Sequence, residues 1–174
     1  MGGTCVNRGC VPKKISWHGT MLRDQINEYG SAYGLNFTEE GPVDYTTMKA
    51  NRDAYIDRVH RGYASGFESR GTHYLAGEAK FIDNHTVEVD GVQYTAPHIA
   101  IVPGGRPRLI ELPGIDLVDT SDDFFDWETL PKSVLIIGAG YVATEFAGVL
   151  NGLGVKTTQA VRHDRPLRNY DASI

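Results

Sequence analysis

The chain is 174 residues long, 41% hydrophobic and 22% charged, which is ordinary globular composition for one or two modest domains and excludes a disordered protein. A formal net charge of −5 and a pI near 5.6 argue against nucleic acid or an anionic membrane surface as the main partner, because such binders carry a basic excess. No apolar run approaches the roughly twenty residues that span a bilayer, and Met1-Gly2-Gly3-Thr4 has no signal-peptide character, so a cytoplasmic setting without a membrane partner is the expectation.

Both cysteines lie in the first fourteen residues, Gly2-Gly3-Thr4-Cys5-Val6-Asn7-Arg8-Gly9-Cys10-Val11-Pro12-Lys13-Lys14. Four residues separate Cys5 from Cys10, a spacing that lets a tight loop bring the sulfurs together. Pro12 is placed to open a helix, a helix start favours thiolate over thiol, and Lys13 and Lys14 add positive charge. The pair therefore reads as a reactive redox dithiol. Two free thiols packed in a core are the plainer alternative. A metal site is not expected, since no His pattern supplies the further ligands zinc needs.

From Pro12 to about Tyr29, Ile15, Leu22 and Ile26 recur at roughly helical spacing, and Gly30 offers a stop. Residues 30 to 45 are rich in Gly, Pro, Asn and acidic side chains and read as a surface excursion. A second helix is expected from Thr46 to Phe67, with Met48, Ala54, Ile56, Val59 and Tyr63 facing inward, and Gly71 ends that signal. Thr86 to Val89 and Val92 to Thr95 flank Asp90-Gly91, a pair suited to a two-residue hairpin. His98 to Val102 reads as a buried strand running into Pro103-Gly104-Gly105, where the chain can turn sharply and approach a ligand.

Val134-Leu135-Ile136-Ile137 is a continuous apolar run fit for a central parallel strand. It enters Gly138-Ala139-Gly140-Tyr141-Val142-Ala143 and a helical stretch through Leu150, with a further strand expected from Val155 to Val161. This is the βα fingerprint of a dinucleotide site: Gly138 permits the turn, Gly140 lets the pyrophosphate approach, and Ala143 stands where helix and strand pack closely. The helix N-terminus faces the phosphate. Beyond the second strand stand Arg162, His163, Arg165 and Arg168 rather than an acidic residue. That favours the extra phosphate of NADPH over the ribose hydroxyls of NAD, with a solvated basic loop as the plainer reading.

The dithiol segment, the run His98 to Pro107, the stretch Thr120 to Phe125 and the nucleotide fingerprint together resemble the flavoprotein disulfide reductases, most closely the glutathione reductases. The resemblance implies an α/β fold with parts of two doubly wound (Rossmann-like) domains and an antiparallel hairpin insertion. It divides the chain into a partial FAD-binding domain over 1–112, a linker over 113–131 and the start of an NADP-binding domain over 132–174. It implies FAD and NADPH as cofactors, glutathione disulfide as substrate and a homodimer for the complete enzyme. In that scheme NADPH gives a hydride to FAD, reduced FAD opens the Cys5–Cys10 disulfide, and Cys5, the more exposed thiol, attacks glutathione disulfide.

By the same resemblance, Thr4, Cys5, Lys13, Ala79 and Gly104 lie along FAD. Lys13 pairs with Glu145, and Tyr141 gates the nicotinamide pocket beside Gly138, Ala139, Gly140 and Val142. Arg162 and Arg168 bind the 2′-phosphate, while Tyr55 and Tyr63 line the glutathione pocket. The family's first FAD motif is expected before Cys5 and its interface domain after Ile174, so the resemblance implies a fragment that is inactive alone. Such a fragment is expected to expose apolar faces and associate or dissolve poorly. Trypanothione reductase, dihydrolipoamide dehydrogenase and mercuric reductase share parts of this pattern, and a catalytically silent nucleotide-binding fragment is the alternative outside the enzymes. Three positions depart from the family: Arg8 replaces a usual Val, Pro103 replaces a usual Thr, and Gln159-Ala160 interrupt a usually more apolar strand.

Overall fold

The computed structural model describes residues 1–36, 43–171 and 173. It opens on a six-residue helix, α1 (Gly3–Arg8), rather than the loop expected between the cysteines, and continues into α2 (Cys10–Tyr29). Gly9 joins them. A Cβ there would lie 2.8 Å from the Thr4 carbonyl oxygen, so the close return of the chain on α1 requires glycine. Pro12 falls in the first turn of α2, where a missing N–H leaves no helical bond unmade.

The helix ends at Tyr29 with Gly30 at its C-terminal cap, as expected. Gly30 keeps right-handed backbone and leads into a 3-10 turn over Gly30–Tyr33, which Gly34 ends at a φ of 73°. Of the expected surface excursion, residues 37–42 lie outside the described residues.

Helix α3 (Tyr45–Ser69) begins at Asp44, whose Oδ1 accepts the Thr47 backbone N–H at 3.0 Å while Oδ2 accepts the Thr47 hydroxyl at 2.6 Å. Those two bonds hold the Asp44 carboxyl below its ordinary range. Tyr45, Arg52 and Ile56 are buried, and Met48 and Val59 are half-buried along the same stripe. Ala54 and Tyr63 depart from expectation: both are exposed. Ala54 lies on the opposite face, and Tyr63 lies on the stripe but where every residue from 61 to 65 is exposed. Arg52 is 1% exposed; its Nη2 donates to the Phe125 carbonyl at 2.7 Å, Nε donates to Asp53 Oδ1 at 2.9 Å, and the guanidinium lies over the Phe125 ring.

Three antiparallel strands follow: β1 (Ala79–Asp83), β2 (Thr86–Val89) and β3 (Val92–Thr95), in that spatial order. Asp90 and Gly91 both take positive φ, 49° and 83°, as a two-residue primed turn needs. The hairpin is as expected, and β1 adds a third strand to it. His98 to Val102 is not a buried strand. It is irregular, with Ile101 69% and Val102 86% exposed, because among the described residues no strand pairs with it.

The second unit is a β–α–β crossover: β4 (Ser133–Ile137), α4 (Tyr141–Gly152) and β5 (Lys156–Ala160), with β4 and β5 parallel from Ser133 opposite Lys156 to Ile137 opposite Ala160. The apolar run of β4 is buried on one face only: Val134 and Ile136 join the core, whereas Leu135 and Ile137 stay 60% and 57% exposed. That differs from the expected central strand. The core gathers Val149, Leu150, Phe146 and Val155 of this unit with Phe124 and Phe125 from the 3-10 turn Asp123–Asp126, and Tyr45 of α3. Phe124 stacks edge-on against Phe125, Trp127 and Phe146.

The buried face of α2 is Pro12, Ser16 and Thr20 rather than Leu22, which is 59% exposed. A Cβ on Gly148 would meet Trp17 at 3.0 Å, and one on Gly152 would meet Thr20 at 2.7 Å. The helices approach through these two glycines, which leave room for Trp17 and Thr20 of α2. Arg23 Nη1 donates to the Gly152 carbonyl at 2.8 Å at the end of α4. Among the described residues no helix is long and apolar enough to cross a membrane.

Candidate functional site: a dithiol beside a dinucleotide turn

Cys5 sits in α1 and Cys10 begins α2; both thiols are free and exposed. The Cys5 pKa is raised above the ordinary thiol value, chiefly by hydrogen bonding with the Cys10 thiol, then by desolvation and by the charge on Cys10. The backbone N–H of Cys10 and the Lys13 ammonium pull it down but do not prevail. Helix start and lysine thus act on Cys5 in the direction anticipated for the pair, and the neighbouring thiol outweighs them there. Arg8 takes no part, because its guanidinium is bound to Asp126 Oδ2 at 2.6 Å.

Lys13 leaves the first turn of α2 toward α4, and its Nζ meets Glu145 Oε2. The contact follows from the parallel register of the two helices, Lys13 against Glu145, Trp17 against Gly148 and Thr20 against Gly152. The dithiol helix is thereby held against the helix that starts at the glycine turn.

At that turn, a Cβ on Gly138 would lie 3.0 Å from the Ala143 Cβ, while one on Gly140 would meet nothing within 4 Å. The first glycine thus serves close packing, and the second opens backbone toward space at the head of α4, as an incoming pyrophosphate requires. Gln159, one of the departures, holds the turn: its Nε2 donates to the Gly138 carbonyl at 2.9 Å and to Thr144 Oγ1 at 3.3 Å. Tyr141 and Val142 are exposed at 58% and 38% beside it. The Leu167 backbone N–H donates to the Ala139 carbonyl at 2.7 Å, folding the basic loop back over the turn, with Leu167 at a φ of 52°.

Arg162 Nε and Arg168 Nη1 both donate to His163 Nε2, at 3.3 and 2.9 Å. Two guanidinium groups are gathered about one ring nitrogen, an arrangement that favours an anion. His163 had no role beyond charge in the sequence reading; its place between the two arginines was the available signal.

The remaining candidates are more dispersed. Thr4 is exposed in α1, Ala79 begins β1 opposite Val89, and Gly104 takes a φ of 78° in an exposed turn. Among the described residues no hydrogen bond, ion pair or ring contact joins Ala79 or Gly104 to the cysteines. Tyr55 and Tyr63 are 43% and 44% exposed, so neither is core packing; Arg58 lies over the Tyr55 ring, and Tyr63 stacks toward Phe67. Among the described residues no three His, Cys, Asp or Glu side chains gather as metal ligands.

A Rossmann-like β–α–β unit with a glycine turn stands beside two short-linked helices that each carry a cysteine, the arrangement of the nucleotide-binding disulfide oxidoreductase fold. The chain belongs to the pyridine nucleotide-disulphide oxidoreductase family, which matches residues 1–174. A glutathione reductase of Nostoc sp. is 39% identical over 174 residues, covering 100% of this chain and 38% of that protein. The HOCl-induced flavoprotein disulfide reductase RclA from Escherichia coli, solved as a Cu(II) complex, superposes with a TM-score of 0.80 at 22% identity over 99% of this chain and 36% of its own, a likeness of fold.

Proposed function

We propose that the chain carries the dithiol and the nicotinamide-nucleotide site of an NADPH-dependent, FAD-containing glutathione-disulfide reductase. The observation that carries this reading is the Lys13–Glu145 contact, which ties the helix bearing Cys10 to the helix that begins at the dinucleotide turn. Gly138, Ala139, Gly140, Tyr141 and Val142 would receive the pyrophosphate and nicotinamide, and Arg162 and Arg168 the 2′-phosphate. The open space at Gly140 and the convergence of the two arginines fit such a group. Thr4, Cys5, Lys13, Ala79 and Gly104 would lie along the flavin. Exposed Tyr55 and Tyr63 would flank the disulfide substrate.

When bound, nicotinamide and flavin supply the hydride chemistry. The chain's residues position and exchange. Cys5 attacks a substrate sulfur to form a mixed disulfide and releases one glutathione thiol; Cys10 then resolves it, releasing the second and closing the Cys5–Cys10 bond. Lys13 places positive charge beside the pair, with Glu145 orienting it.

The division into a partial FAD domain over 1–112, a linker over 113–131 and an NADP unit from 132 belongs to the same proposal, as do a cytoplasmic setting and a homodimeric complete enzyme. Turnover is assigned to a larger assembly than these residues, because Ile101, Val102, Leu135 and Ile137 leave apolar surface uncovered. NADPH-driven reduction of glutathione disulfide by the purified chain would overturn that last point.

The visible spectrum of the reduced chain supplied with FAD, recorded after gel filtration, tests the flavin assignment. Flavin that elutes with the protein and gains a long-wavelength band supports it. Flavin lost on the column overturns it for this chain.

A further inference from the structure

Asn7 stands between the two cysteines and is the centre of a small hydrogen-bonded clamp. Its Nδ2 donates to the carbonyls of Met1 and Gly3, each at 2.8 Å. Both amide hydrogens are thereby used, so Oδ1 can only accept, and it is met by His60 Nε2 of α3 at 2.7 Å. That nitrogen therefore carries the proton and donates.

Helix α1 has six residues and no side-chain cap at its N-terminus. A helix that short does not hold itself, so its place depends on tertiary contacts. Val6 packs beneath it, and the His60–Asn7 bond is its polar tie to α3.

We propose that His60 is a positioning residue for the dithiol: through Asn7 it fixes α1, and so Cys5, against Cys10. The inference rests on the reading of Cys5 and Cys10 as a working pair. The relevant exchange is balanced without a cofactor. Two protein thiols and one glutathione disulfide give the Cys5–Cys10 disulfide and two glutathione thiols, the protein losing two electrons and two protons and glutathione gaining them.

The test is the disulfide–dithiol equilibrium of the full chain in glutathione redox buffers, read by alkylation and mass, for the unchanged chain, His60→Phe and His60→Gln. Phenylalanine keeps the ring volume without the donor, and glutamine keeps a donor without the ring. The clamp predicts that His60→Phe lowers the equilibrium constant for disulfide formation about tenfold, because the effective concentration of one thiol at the other falls. That fold-change equals a shift of about 30 mV. His60→Gln should stay within about threefold of the unchanged chain, since a donor still meets Asn7.

Equal constants for His60→Phe and the unchanged chain overturn the inference. So does a loss in His60→Gln as large as in His60→Phe, which marks packing rather than the bond. If His60→Phe does not fold, His60→Gln decides alone: a retained constant supports the clamp and a lost one overturns it. An unchanged chain that forms no disulfide at all overturns the dithiol reading itself, and this inference with it.

Discussion

Lys13 and Glu145 are 132 residues apart in sequence, and their side chains meet where α2 runs alongside α4. The lysine is 24% and the glutamate 40% exposed, so solvent screens the pair and its worth to stability is small. A double-mutant cycle of Lys13→Ala and Glu145→Ala, read from urea midpoints, should give a coupling of about 0 to 1 kcal/mol that shrinks with added salt. A salt-insensitive coupling above that range would mean the pair is a buried structural bridge.

Gly9 is the joint between the two cysteine-bearing helices. Gly9→Ala places a Cβ 2.8 Å from the Thr4 carbonyl, against rigid backbone rather than a flexible side-chain end. The expected cost is about 1 to 3 kcal/mol, seen as a lower thermal midpoint. An unchanged midpoint would show that α1 can swing away freely.

Cys5 is held above the ordinary thiol pKa chiefly by its bond to Cys10. Its alkylation by iodoacetamide should therefore rise with pH later than for a free thiol, and Cys10→Ala should shift that rise to lower pH. The linkage has a definite sign. A raised folded-state pKa means the fold binds that proton more tightly, so its contribution is full below the ordinary thiol value and is lost as pH climbs through the raised one. A Cys10→Ala profile displaced to higher pH would contradict this account.

What could be seen in the sequence was set by local rules. The Asp90-Gly91 hairpin, the glycine turn before Tyr141 and the end of α3 near Gly71 follow from backbone freedom at single residues, which neighbouring sequence reports well. Partners distant in the chain were less visible. The His98 to Val102 run has strand composition, yet a strand needs an adjacent strand, and none of those described supplies it. The burial of Thr20 on α2 depends on Gly152, which admits its close approach, information that lies in another helix. The Lys13–Glu145 pairing came from family resemblance, whereas the His60–Asn7 and Arg8–Asp126 partnerships emerge only in three dimensions.

Gln159 is polar where a strand of this kind is usually apolar, and its amide bonds the Gly138 carbonyl and Thr144. Gln159→Leu removes the donor and should cost about 1 kcal/mol in urea denaturation. The same change should weaken nucleotide binding by loosening the turn. Unaltered stability and unaltered binding would show the amide to be incidental.

The central claim is that the turn at Gly138 to Val142, with Arg162 and Arg168, takes a nicotinamide dinucleotide bearing a 2′-phosphate. Calorimetric titration of the purified chain with NADPH and with NADH tests it most directly, beside the Arg162→Leu and Arg168→Leu variants. The account predicts that NADPH binds at least about tenfold more tightly than NADH, and that either substitution narrows the difference, since a charge-assisted bond to phosphate is lost. Equal affinity for the two nucleotides, or no binding of either at millimolar concentration, would contradict it.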